Sequence, residues 1–243
     1  MQRPRLKDNK GAHQFELYPL GQIPEETICE FGRNLACQHL IGTRDLTGDL
    51  WSDILADSIG GLHLDQPLGL ADVIYKNMAW SAKTVKQASP HQQKAVRVIS
   101  GRCSPDFSYG ITDPHTDIQQ TGAMVLSIYN ERVNIAKEKY EPLREIVLMR
   151  NFDKFEFSVF ERDIRRYATN EYRWEANKNG NLQGYEIATN KHRFTWQPHG
   201  SQFTILHSVP PSAIKFAVRK PPSLDVRKAL EQAGFDESWI TIL

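Results

Sequence analysis

Two ionisable residues in one short segment, Asp72 and Lys83, have the types and the spacing for chemistry on a phosphate ester. A carboxylate can hold Mg²⁺, which stabilises charge on a phosphate and lowers the pKa of a bound water. A neighbouring ammonium group can orient or deprotonate that water and neutralise the developing oxyanion. An ordinary ion pair is the simpler interpretation for an arbitrary strand face, so the surroundings of the pair decide between the two.

The pair lies in a predicted β-hairpin. Residues 70–75 and 79–86 alternate like two strands, and the segment between them is short enough for a tight turn. A predicted helix precedes the hairpin, and another helix and a buried strand follow it. Apolar neighbours favour central strands over exposed ones, and these neighbours are Val73, Tyr75, Trp80 and Ala82.

The register of the hairpin decides which side chains meet. A turn at residues 77 and 78 pairs Asp72 with Lys83, and a turn at residues 76 and 77 pairs Asp72 with Ser81. Either register leaves these three side chains on one face, because side chains alternate along a strand. A three-residue loop would separate them.

This arrangement resembles the signature of the PD-(D/E)XK nuclease superfamily, and in particular its type II restriction endonucleases. Asp72 matches the metal-binding acid, and Ser81-Ala82-Lys83 matches the second half-motif. Over residues 24–150, the resemblance implies a restriction-endonuclease-like core, in which helices flank a central mixed β-sheet. It also implies a homodimer that hydrolyses double-stranded DNA at a short specific site with Mg²⁺, bound in part by Asp72 and the backbone carbonyl of Ala82.

The sequence departs from the family at two positions. Ala71 stands where proline is usual, and Ser81 stands where the second carboxylate is expected. Several restriction enzymes with serine at this position take the acid from the following helix, which implies Glu131 as the catalytic and metal-binding residue here. Glu138 and Glu30 are the other candidates, and each of the three could instead lie on a solvated helix face. Without such an acid, the chain would be a non-catalytic DNA-binding protein, and a nuclease for RNA or for modified or branched DNA is a further alternative.

A candidate DNA-reading segment lies in the second half of the chain. Residues 187–224 contain no Asp or Glu but several Lys, Arg and His, which suits a polyanion. Within them, residues 196–202 (Trp-Gln-Pro-His-Gly-Ser-Gln) join two predicted strands, and glutamine can contact adenine as arginine can contact guanine. A surface hairpin with a packed tryptophan is the alternative. The expected DNA contacts are Arg193, Trp196, Gln197, His199, Ser201 and Gln202, with Arg102 on a glycine-bearing loop after the hairpin.

The order of predicted elements gives an α+β fold. A helix starts near Pro24, a second follows an Asp49 cap, and a long helix occupies residues 117–140. The predicted division is a nuclease core at residues 1–150 and a β-rich recognition region at residues 151–243, packed as one unit.

Composition limits the other possibilities. The chain has 243 residues, 40% of them hydrophobic, with a net charge of +1, and no apolar run is long enough to span a membrane. Neither a secretory signal nor a nucleotide-binding or serine-hydrolase motif is present. Three cysteines without CxxC spacing argue against a disulfide framework and a zinc site, which favours a reducing cytoplasm. Cys29 and Cys37 are expected to be buried in the first helix.

Overall fold

A computed structural model describes residues 15–64, 69–222 and 224–243, and in these ranges the chain is a mixed α+β protein with two β-sheets. The helices are α1 (Glu25–Leu40), α2 (Gly48–Ile59), α3 (Pro105–Tyr109), α4 (Ile118–Lys139) and α5 (Val226–Gln232), with short 3₁₀ helices at Pro90–Gln92, Thr169–Glu171 and Glu237–Trp239. The strands are β1 (Leu62–His63), β2 (Val73–Tyr75), β3 (Met78–Lys86), β4 (Ala95–Arg102), β5 (Leu143–Asn151), β6 (Glu156–Asp163), β7 (Tyr172–Ala176), β8 (Leu182–Glu186), β9 (His192–Gln197), β10 (Gln202–Ser208) and β11 (Ile214–Ala217). No helix in the described ranges is long and apolar enough to cross a membrane.

The first sheet is mixed and has the strand order β1-β2-β3-β5-β6-β11. Strands β3 and β5 pair in parallel, whereas the other neighbours are antiparallel. A parallel pair needs a long connection, and the chain makes it through β4 and α4. Every residue of β5 is buried, which explains the apolar run at residues 146–149 in its centre.

Helices α1 and α2 cover one face of the first sheet. The buried side chains of α1 recur four residues apart, at Thr27, Phe31 and Leu35, as expected for one helix face. Cys29 and Cys37 lie on this helix as predicted, but both are exposed because they fall outside that stripe. The prediction that they are buried is therefore wrong.

Helix α2 begins at a cap two residues before the predicted one. The hydroxyl of Thr47 accepts a hydrogen bond from the amide of Leu50 at 3.2 Å, so Thr47 is the N-cap. Asp49, the predicted cap, is instead the second residue of the helix. Its side chain is thereby available to the pocket described below.

The second sheet is antiparallel, with the order β4-β10-β9-β8-β7, and packs on α4. Aromatic side chains from three of its strands fill this interface, among them Trp174, Phe194 and Phe203. Gly122 of α4 makes the close approach possible, since a Cβ there would stand 2.2 Å from the Trp174 ring. The helix and the sheet thus form one continuous core.

The two sheets do not divide the chain at residue 150. Strand β4 precedes that position but belongs to the second sheet, whereas β6 and β11 follow it and belong to the first. Residue 150, the predicted boundary, lies within β5, and each sheet contains strands from both sides of it. With this arrangement of strands, the end of β4 lies beside the hairpin of β2 and β3.

Candidate functional site

A two-residue turn at Lys76 and Asn77 sets the register of the hairpin. Tyr75 pairs with Met78 and Val73 with Trp80, so Asp72 comes opposite Ser81. Lys76 has a φ of 53°, the left-handed backbone that hairpin turns of this length require. One of the two registers left open by the sequence is thereby confirmed.

Three groups from β3 converge on the carboxylate of Asp72. Its Oδ2 atom accepts hydrogen bonds from Lys83 Nζ at 2.8 Å, from the Ala82 amide at 2.8 Å and from Ser81 Oγ at 3.3 Å. The side chains of Lys83 and Asp72 are 22% and 21% exposed, so the pair is sheltered but open to solvent. The predicted meeting of Asp72, Ser81 and Lys83 is confirmed by these distances.

A buried network holds the hairpin from behind. Trp80 lies on the face towards α1 and α2, and its indole Nε1 donates to Glu161 Oε1 at 2.7 Å. The same carboxylate accepts from Tyr18 Oη at 2.9 Å and from Arg144 Nη1 at 3.2 Å, which balances its charge. Burial, together with the adjacent Glu161, raises the pKa of Tyr18 and keeps its hydroxyl protonated as a donor. The strand that carries Lys83 is thus fixed by contacts on its opposite face.

The Asp72–Lys83 pair opens into a pocket of about 370 Å³, which we call the hairpin pocket. Its walls come from the start of α2, from β1, from the hairpin, from the end of β4 and from α4. Its lining includes Asp49, Asp72, Ala82, Lys83, Ser100, Gly101 and Arg132. Two carboxylates and two basic side chains therefore share one concave surface.

The donor set of the hairpin pocket suits Mg²⁺. The ion prefers oxygen ligands and is commonly bound through one or two carboxylates plus waters and substrate phosphates. Asp72, Asp49 and the backbone of Ala82 offer such oxygens. In the described part of the chain no group of three or more His, Cys, Asp or Glu side chains is placed to hold a metal. A Mg²⁺ ion in this pocket would therefore be held by one or two carboxylates and would keep several waters.

Arg132 is a pocket residue that the sequence did not single out. Its Nη1 donates to the carbonyl of Ser100 at 2.7 Å, and its guanidinium fills the space next to Gly101. Gly101 has a φ of 96°, and a Cβ at this position would stand 2.6 Å from Arg132 Nη2. The one signal of this contact in the sequence was Gly101, which lies between Ser100 and Arg102, because a glycine often marks a place where another group comes close to the backbone.

A second cavity, of about 530 Å³, adjoins the hairpin pocket, and we call it the recognition cavity. Gly101 and Arg132 line both. Three of the predicted DNA contacts line the recognition cavity, namely Arg102, His199 and Gln202. Arg102 and Gln202 are direct partners in the pairing of β4 with β10. The fold therefore brings these predicted contacts beside the predicted catalytic pair.

Other residues of the same predicted segment lie elsewhere. Trp196 is 3% exposed and donates from Nε1 to the carbonyl of Cys103 at 2.8 Å, so it is a core residue and not an exposed DNA contact. Strand alternation is the reason, since Phe194 and Trp196 share the face that packs on α4. Gln197 is half-buried opposite Gln202.

Ser201 and Arg193 have separate surroundings. The carbonyl of Ser201 accepts from the Cys103 amide at 2.8 Å, and its φ of 53° belongs to the β9–β10 turn. Arg193 lies 3.6 Å from Glu186 and lines a cavity distinct from the one that Gln202 lines. Neither residue lines the recognition cavity.

None of the three glutamates proposed to replace the missing carboxylate lines the hairpin pocket. Glu131 and Glu138 line a different cavity, of about 930 Å³, on the exposed side of α4. Successive residues of a helix point about 100° apart, so α4 presents Arg132 to the pocket and turns Glu131 away. Glu30 is half-buried on α1 and pairs with Arg33 at 2.9 Å.

A carboxylate that the sequence analysis missed lies beside Ser81. Glu145 pairs with Ser81 across the parallel strands, and its Oε2 is 2.7 Å from Nε2 of buried His207. Burial acts to raise the pKa of Glu145, but His207, Lys83 and Arg162 together hold it below its usual value. Nothing in the sequence indicated this role for Glu145, because the apolar residues that follow it at 146–149 predict only a buried strand.

Comparison with known proteins adds no relative: no protein-family model, no curated protein and no solved structure matches this chain.

Proposed function

We propose that this protein is an endonuclease that cuts double-stranded DNA at a specific site, on a core of the restriction-endonuclease kind. One observation carries the proposal: the Asp72–Lys83 ion pair opens into a pocket that adjoins a cavity lined by Arg102, His199 and Gln202. Hydrolytic groups and base-reading groups are thus next to each other. Arginine can contact guanine and glutamine can contact adenine in the major groove.

The residues of the hairpin pocket divide the work of phosphodiester hydrolysis. Asp72 and Asp49, with the carbonyl of Ala82, would hold Mg²⁺, which when bound withdraws charge from the phosphate and acidifies a water ligand. Lys83 is held by Asp72 at 2.8 Å, where it can orient the attacking water and neutralise charge on the phosphate. Arg132, fixed by Ser100, adds a second positive charge to the same pocket. Cleavage of both strands requires two such sites, for which a symmetric homodimer is the simplest arrangement.

A DNA-binding protein without nuclease activity is the second candidate. Ser81 replaces a carboxylate of the family pattern, and one oxygen of Asp72, Oδ2, already accepts hydrogen bonds from three donors of β3. A metal ion must compete with those donors. In this case the recognition cavity would bind DNA while the hairpin pocket stays inactive.

Incubation with plasmid and phage DNA tests the proposal. The purified protein is given Mg²⁺ or EDTA, alongside Lys83→Ala and the control Lys86→Ala, which removes an exposed lysine from the same strand. We expect discrete fragments that require Mg²⁺, unchanged cutting by Lys86→Ala, and a loss of about 10² to 10⁴ in rate for Lys83→Ala.

The other outcomes each have a defined meaning. Intact DNA in every lane, with a retained gel shift, would support the binding-only candidate. Cleavage at full rate by Lys83→Ala would place the active site elsewhere. Cutting of RNA or of branched DNA in preference to plasmid would replace the proposed substrate.

A further inference from the structure

A third concave region carries an unusual set of charges. It has a volume of about 310 Å³, and its walls come from β6, from the loop after it, from β9 and from the end of β10. Three arginines line it, Arg162, Arg165 and Arg193, together with Ser208. We call it the arginine cavity. It shares none of its lining residues with the hairpin pocket or the recognition cavity.

The charges of these arginines are only partly balanced. Glu161 also lines the cavity, but its carboxylate is engaged by Tyr18, Trp80 and Arg144 on the opposite face of the first sheet. Adjacent residues of a strand point to opposite faces, which separates Glu161 from Arg162. The carboxylate in the wall of the cavity is therefore engaged elsewhere, and the buried Glu145 contacts His207, which in turn contacts Arg162. Arg165 and Arg193 line the cavity, with Glu186 as the acid paired to Arg193.

Each guanidinium has a contact that orients it, and for Arg193 this contact is an ion pair with Glu186. Nη1 of Arg162 contacts Nδ1 of His207, and the guanidinium of Arg165 lies 5.4 Å from the ring centre of Tyr167. Arg193 is 3.6 Å from Glu186, longer than a hydrogen bond. Like charges in one cavity repel one another, and a bound anion relieves that repulsion.

We propose that the arginine cavity binds a phosphate group. The planar fork of a guanidinium matches two phosphate oxygens, and arginine is favoured where several such donors meet one anion. The Ser208 hydroxyl adds a neutral donor. The volume lies near the lower end of the range for ligand sites, about 300–1,000 Å³, which admits a phosphate and part of its carrier.

The position of the cavity agrees with a phosphate of the DNA backbone. Strand β10 runs from Gln202 in the recognition cavity to Ser208 in the arginine cavity. Six residue steps of about 3.3 Å give roughly 20 Å. Base pairs rise about 3.4 Å each along a duplex, so this distance spans roughly six of them. The assignment to a DNA phosphate rests on the proposed function. A free phosphate compound would be bound by the same groups and does not require that function.

A charge-matched pair of double variants tests the proposal. Arg165→Ala with Arg193→Ala removes two positive charges from the cavity, and Lys154→Ala with Lys178→Ala removes two exposed charges outside both the cavity and the basic segment 187–224. Circular dichroism and thermal unfolding confirm that both are folded. Calorimetry with inorganic pyrophosphate then measures binding, and we expect at least a tenfold weakening in the cavity variant alone.

Duplex binding over a range of salt concentrations identifies the source of the phosphate. If the cavity holds a backbone phosphate, the salt dependence of DNA affinity falls by about one to two counterions in the cavity variant and is unchanged in the control. Pyrophosphate binding with an unchanged salt dependence would assign the site to a free phosphate compound. Equal behaviour of the two double variants in both assays would overturn the proposal. Because the pyrophosphate assay needs no DNA, failure of the nuclease proposal leaves it interpretable.

Discussion

Replacement of Gly101 by alanine tests whether Arg132 is held between the hairpin pocket and the recognition cavity. The added Cβ would stand 2.6 Å from Arg132 Nη2 and 2.7 Å from Nη1, so the guanidinium must move. Movement breaks its 2.7 Å hydrogen bond to the carbonyl of Ser100, a buried residue. The variant also forces alanine into a backbone with a φ of 96°.

The two costs can be separated with a control glycine. Gly42 has a φ of 95°, and no atom lies within 4 Å of the position that an added methyl would take, so Gly42→Ala carries the backbone cost alone. That cost is about 1–3 kcal/mol. Loss of a hydrogen bond to a charged group costs about 1.5–3 kcal/mol. Gly101→Ala should therefore lower the free energy of unfolding by more than Gly42→Ala, with this amount as the upper limit because the flexible guanidinium can shift.

Urea unfolding followed by tryptophan fluorescence measures both variants, and equal slopes against urea concentration validate the comparison. DNA affinity is measured in parallel, since Arg132 lines both cavities, and we expect it to fall in Gly101→Ala only. Equal free energies of unfolding for the two variants would refute the reasoning. Such a result would mean that the hydrogen bond between Arg132 and the carbonyl of Ser100 can be lost without any change in the free energy of unfolding.

Three further outcomes are expected. Gly122→Ala should lower the free energy of unfolding by about 1–3 kcal/mol or more, because the methyl would overlap the buried Trp174 ring; a change below about 0.5 kcal/mol in urea unfolding, the size of a surface substitution, would contradict the packing. The lowered pKa of Glu145 means that its ionised form, close to His207, stabilises the fold above about pH 4.5 and loses this effect as the pH falls further. The stability advantage of the wild type over Glu145→Gln should therefore shrink on acidification below pH 4.5, and an advantage independent of pH would rule this out. Thr47→Ala should cost about 1 kcal/mol in thermal unfolding through loss of the helix cap, and an unchanged midpoint would show that the cap is dispensable.

The hairpin could be predicted because its pattern is local. Alternation of apolar and polar residues placed Asp72, Ser81 and Lys83 on one face in either register, and the turn at Lys76 then selected one. The extent of α4 was equally accessible, since the predicted helix at residues 117–140 matches the observed helix together with its caps, Asp117 and Tyr140. Local signals of this kind need no knowledge of distant neighbours.

The rotation of α4 about its axis was not accessible from the sequence. Its apolar residues cover more than one face, and Ile135 is 50% exposed. The buried stripe runs through Val125, Tyr129 and Val133. Glu131 was expected in the site because the resemblance implies a carboxylate on this helix, and the sequence pattern did not show that this position points away from the hairpin pocket.

The distribution of the strands between the two sheets could not be predicted from the sequence either. Nothing local to β4 shows that it pairs with β10, more than a hundred residues later in the chain, because antiparallel partners are chosen by tertiary packing. That pairing creates the recognition cavity and its border with the hairpin pocket. Trp196 is different, because strand alternation in β9 places it on the same face as the buried Phe194. The sequence therefore did contain a signal that Trp196 is a core residue.

The parallel pairing of β3 with β5 has a consequence for the order of folding. Strands β2 and β3 are joined by a two-residue turn, and hairpins of this kind form in about 1–10 μs. Strand β5 can join only after the long segment containing β4 and α4 has closed, and such non-local pairing is slow. The Asp72–Lys83 pair therefore forms early, whereas the walls contributed by Ser100, Gly101 and Arg132 arrive late. A nascent chain therefore has the Asp72–Lys83 pair before the walls of the hairpin pocket surround it.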